Sequence, residues 1–116
     1  MLIRACLLIL CIAPGVLSAN CRQALVLALD VSGSVDVVEY ELQVEGLAQA
    51  LDAPQIRELI LASPAHVALA AFEWSGPEAQ ALLLPWVELR NHDDIDAAIA
   101  RIRAPHARLA ARRVRR

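Results

Sequence analysis

Ala24-Leu25-Val26-Leu27-Ala28-Leu29-Asp30-Val31-Ser32-Gly33-Ser34 is the stretch that decides the fold. The apolar run Ala24 to Leu29 is unbroken, which predicts a strand buried on both faces, as in the parallel sheet of an α/β protein. It stops at Asp30. A carboxylate at the end of a buried strand, followed by two hydroxyls in a tight turn, stands where open α/β sheets bind their ligands. Carboxylate and hydroxyl oxygens are hard donors that suit Mg²⁺, Mn²⁺ or Ca²⁺ and suit zinc or copper poorly. Asp30, Ser32 and Ser34 are therefore the candidate metal ligands, and Gly33 gives the turn its freedom. The rival, purely structural role is that Asp30 and Ser34 cap the turn and the following helix.

Downstream, Asp36 and Glu39 have the spacing of a helix capping box, and Val35 and Tyr40 that of a hydrophobic staple. A helix is predicted from Val37 to about Leu51, with Val37, Tyr40, Val44, Leu47 and Leu51 forming a stripe toward the sheet. Glu39, Glu45 and Gln49 look outward. Pro54 suits the first turn of a short helix over Gln55 to Ala62, which Ser63-Pro64 ends. His66 to Trp74 reads as a strand, Ser75-Gly76-Pro77 as a turn, and Ala79 to Leu89 as a second strand able to form a hairpin with the first. Within it Pro85 marks a sheet edge or a bulge. Asn91 or His92 then opens a helix whose Asp93 and Asp94 suit its positive end, with Ile95, Ile99 and Ile102 inward. The predicted order is strand, helix, helix, strand, strand, helix.

Upstream, Arg4, the apolar run Ala5 to Ala13, the Pro14-Gly15 break and the small residues Ser18 and Ala19 have the form of a secretory signal peptide over residues 1–19. The run is about half of the roughly 20 apolar residues that a membrane span needs. The expected address is periplasmic or extracellular, with no membrane span in the mature chain. Cleavage would leave Cys21 as the sole thiol, either paired outside the domain or buried ahead of the first strand. Trp74 and Trp86 are expected mainly as core residues in a chain where aromatics make up 3%.

Charge is unevenly placed. Residues 1–100 hold four of the 11 arginines and all 13 acids, whereas residues 101–116 hold seven arginines and no acid, and lysine is absent throughout. The tail 104–116 lacks an apolar period and is expected to be disordered. It has no interleaved aromatics, so a nucleic-acid role is not expected.

Leu27-Ala28-Leu29-Asp30-Val31-Ser32-Gly33-Ser34 resembles the first strand and metal-ion-dependent adhesion site of von Willebrand factor A-like domains. The resemblance runs from Cys21 to about Arg103 and includes Ala71-Phe72-Glu73-Trp74-Ser75-Gly76-Pro77 and Leu84-Pro85-Trp86. Within the superfamily, the chain looks like an exported bacterial group of unknown function. The resemblance implies a Rossmann-like α/β sheet with flanking helices, of which residues 20–103 are the N-terminal half. It implies that Asp30, Ser32 and Ser34 hold Mg²⁺ or another hard divalent cation, and that the cation engages an acidic residue of a protein partner. Family members continue through a loop threonine and a second aspartate, which nothing after Arg103 resembles. The alternative expectation is accordingly an inactive, truncated or frameshifted fragment.

Catalytic patterns fit less well. Haloacid-dehalogenase phosphatases place a second aspartate two positions after the strand-end one as acid/base, and Ser32 stands there. No Gly-x-Ser-x-Gly elbow or dinucleotide glycine fingerprint is present. His66, His92 and His106 are too widely spaced for a zinc pair. The chain is expected to be a binding protein and not an enzyme.

Overall fold

A computed structural model describes the backbone of residues 20–113 and the side chains of residues 20–104. The predicted signal segment 1–19 lies outside the described residues. The elements are β1 (Cys21–Asp30), α1 (Val37–Asp52), α2 (Pro54–Leu61), β2 (His66–Gly76), β3 (Ala79–Leu89) and α3 (His92–Arg113), in the predicted order. They form a mixed α/β unit with a three-stranded sheet of order β1-β2-β3. β1 and β2 are parallel, joined by the α1–α2 crossover that parallel neighbours require, and β2 and β3 form an antiparallel hairpin.

Local chemistry accounts for the boundaries. Asp36 caps α1 by accepting from the Val38 and Glu39 amides at 2.8 and 2.9 Å, and Glu39 returns the bond to the Asp36 amide at 2.8 Å. Pro54 opens α2, where its missing N–H costs nothing. Asn91 Oδ1 accepts from the Asp94 amide at 2.9 Å and so starts α3. Pro85 falls inside a register shift between Leu84 and Val87 on β3, an edge strand of the described sheet. Edge and bulge are both places where a missing ladder donor is tolerated. The helical backbone of α3 continues past Pro105 to Arg113, beyond the Ile95–Ile102 stripe. Alanine and arginine, which dominate that stretch, are strong helix formers.

The core lies on one face of the sheet. Leu29, Leu69, Ala71, Leu84 and Leu89 meet Val44, Ala48 and Leu51 of α1 and Ile95, Ala98, Ile99 and Ile102 of α3. The α1 stripe is as predicted from Tyr40 onward, but Val37, at the helix's first position, is exposed. Arginines tie the helices together. Arg57 of α2 bonds Asp52 at 2.7 Å and also Asp96 of α3, while Arg103 bonds Glu45 at 2.6 Å. Glu45 therefore faces α3 rather than open solvent.

The other face differs from expectation. Val26, Leu82, Trp74 and Trp86 on that face are 49%, 65%, 40% and 56% exposed, so the two tryptophans are not core residues. β1 is exposed from Cys21 through Val26, although its sequence predicted burial on both faces. Among the described residues it has a strand neighbour on one side only and helices on one face only, so much of its apolar surface is left without a packing partner among them. Cys21 is exposed, with its thiol 3.4 Å from the Gln23 carbonyl, which removes the buried-thiol alternative.

Candidate functional site

The predicted ligands lie where β1 ends. Asp30 is the last residue of the strand, and the parallel register sets it beside Trp74 of β2. The ladder's final bond runs from the Val31 amide to the Trp74 carbonyl at 2.9 Å, after which the chain leaves the sheet. The Ser32 amide closes back onto Asp30 Oδ1 at 2.8 Å, and the Val35 amide onto the Ser32 carbonyl at 2.9 Å. These two closures make the turn. Gly33 is not in a left-handed conformation, and a Cβ there would meet nothing within 4 Å. The turn therefore does not depend on glycine, contrary to the sequence expectation.

The turn brings the serine oxygens together, with Ser32 Oγ and Ser34 Oγ 3.4 Å apart. Adjacent oxygens around a hard cation lie about 3 Å apart for Mg²⁺ and about 3.4 Å apart for Ca²⁺, from bond lengths of about 2.1 and 2.4 Å. The spacing fits this class of ion. The Ser32 hydroxyl and, second, the Ser32 amide bond hold the Asp30 carboxyl below its ordinary value of 3.8, so it is ionised at neutral pH. Asp30, Ser32 and Ser34 thus present three oxygens and one negative charge, a partial donor set that water and a partner carboxylate would complete.

Side chains behind the loop escaped the sequence reading. Gln43 Nε2 donates to the Asp30 carbonyl at 3.2 Å, and the Tyr40 hydroxyl donates to Glu73 Oε1. Tyr40 was assigned to the core stripe for its ring, which does pack there, and nothing in the local pattern reported where its hydroxyl ends. Burial first, and the Glu73 carboxylate second, push the Tyr40 phenol well above its ordinary value.

Among the described side chains, His66 and His92 do not converge. His66 is buried with Nε2 3.2 Å from Glu88 Oε1, His92 Nδ1 lies 3.4 Å from Arg57, and the side chain of His106 lies outside the described residues. Among the described residues, no three His, Cys, Asp or Glu side chains cluster as a metal site. No helix among them is long and apolar enough to cross a membrane.

Fold and loop define a class: a mixed α/β unit with an oxygen-rich turn at the carboxyl end of its first strand. The chain belongs to the family described as a protein of unknown function (DUF1194), whose model matches residues 20–114. No curated protein and no solved structure matches it.

Proposed function

We propose that this is an exported, non-enzymatic binding protein of von Willebrand factor A-like type. In this reading Asp30, Ser32 and Ser34 hold a hard divalent cation that takes an acidic oxygen of a protein partner as a further ligand. The observation that supports it is the turn at the strand's end, in which the two serine hydroxyls lie 3.4 Å apart and the Asp30 carboxylate is held by the Ser32 amide. When bound, the cation supplies a positive charge able to bridge two carboxylates. The chain's own contribution is orientation. Asp30 stays ionised, its Oδ1 is anchored by the Ser32 amide, and the capped start of α1 fixes the exit of the loop. A partner carboxylate would replace water, so binding would require the cation and be reversed by chelators.

The reading favours adhesion over catalysis because Ser32 occupies the place where an acid/base carboxylate would be needed. Thermal melting with Mg²⁺, Mn²⁺ or Ca²⁺ tests it, since an ion bound only by the folded state must stabilise that state. At ten times its dissociation constant an ion contributes about 1.4 kcal/mol, equivalent to roughly 5–10 °C in a domain of this size. The shift should vanish in Asp30→Ala. No shift at millimolar metal, or an undiminished one in the variant, would rule the site out.

A further inference from the structure

Two side-chain hydrogen bonds tie the first half of α1 to the carboxyl ends of two neighbouring strands. Gln43 reaches the main-chain oxygen of Asp30 on β1 at 3.2 Å, and Tyr40 reaches the carboxylate of Glu73 on β2. Tyr40 and Gln43 are three positions apart on the helix and so share a face. The residues they grip are also neighbours, because Glu73 is the register partner of Leu29 and Asp30 follows Leu29 directly. Both bonds are part-buried, which shields them from competing water. The Asp30–Ser34 loop begins at the end of β1 and leads into the cap of α1, so these ties fix the strand end and the helix relative to one another.

We propose that Gln43 and Tyr40, with Glu73 as acceptor, are positioning residues that hold the Asp30–Ser34 loop in its cation-binding form. The proposal rests on the cation reading above. Three oxygens with one charge give little Coulomb attraction, so affinity depends on how much ordering the loop must undergo when the ion arrives. The Gln43 bond fixes the main chain from which the Asp30 carboxylate projects. The Tyr40 bond keeps α1, and with it Ser34, from sliding along the sheet. Hydrogen-bonding partners one shell out from metal ligands commonly govern affinity by 10–100-fold.

Tyr40→Phe keeps the packed ring and removes the hydroxyl, Gln43→Leu keeps the bulk and removes the donor, and Glu73→Gln keeps an acceptor oxygen while removing the charge. Three readouts on the purified chain separate the roles: Mn²⁺ affinity by calorimetry, Tm without metal, and hydrogen exchange at the Ser32 amide. Y40F and Q43L should each weaken Mn²⁺ binding about 10-fold or more and speed Ser32 exchange. Metal-free Tm should fall by no more than about 8 °C, the effect of one lost hydrogen bond in a domain of this size. E73Q should keep both the affinity and the slow exchange. Wild-type affinity and exchange in Y40F and Q43L would overturn the proposal, as would an E73Q loss equal to that of Y40F, which would show a charge effect. If the wild type binds no Mn²⁺, the cation reading fails by itself. Ser32 exchange then decides the positioning role: faster in both variants upholds it, and unchanged refutes it.

Discussion

At Asp30 a proton and a cation compete for the same oxygens. The Ser32 hydroxyl and amide lower the carboxyl's pKa from 3.8, because both stabilise the ionised form. A folded pKa below the unfolded value contributes stability that is present above the unfolded value and lost as pH falls through the folded one. Metal-free wild type should therefore melt above Asp30→Asn at pH 5 and higher, with the gap closing as pH drops below 3.8. A gap that widens on acidification would contradict the assigned direction. Asp30, Ser32 and Ser34 were legible because their spacing is local: six consecutive residues, Asp30 to Val35, make the whole turn. Gln43 and Glu73 were not, since their relation to that turn exists only once α1 and β2 have been laid against β1.

Among the elements, α1 is the one that positions the loop, and its start is set by a reciprocal bond readable in sequence as Asp36 and Glu39. Asp36→Ala removes the acceptor for two amides and should destabilise the protein by about 1 kcal/mol, measurable by denaturant unfolding. A cost near zero would mean that tertiary contacts alone define the helix start. β1 shows the opposite situation. Its unbroken apolar run was a sound reason to predict a strand, and the strand is there. Burial on both faces was a statement about neighbours, which composition does not contain. β2 has strands on both sides and is buried over most of its first half, whereas β1 has one neighbour among the described residues and is largely exposed.

At the scale of the whole molecule, the consequence is a sheet that the described residues cover on one face and leave open on the other. Val26, Leu82 and Trp86 flank Ala70 and Phe72 on the open side and line a shared groove. An apolar patch of this kind should bind an apolar reporter dye such as anilinonaphthalene sulfonate in the native state. Leu82→Thr should lower that binding and change stability by no more than about 0.5 kcal/mol, because Leu82 is 65% exposed and threonine suits a strand. Native protein that leaves the dye dark would mean that this face is covered in solution.

The amino-acid sequence by itself determined the order of the elements, the caps of α1 and α3, the break at Pro85 and the place of the Asp30–Ser34 turn. Each of these is fixed by interactions within a few residues, so the information is local. Tertiary structure alone decided that Trp74 and Trp86 face outward, that β1 is half-covered, and that Gln43 and Tyr40 grip adjacent strand ends. Those outcomes depend on which surfaces the layers bring together, and residues more than ten positions apart acquire a distance only when the chain has packed.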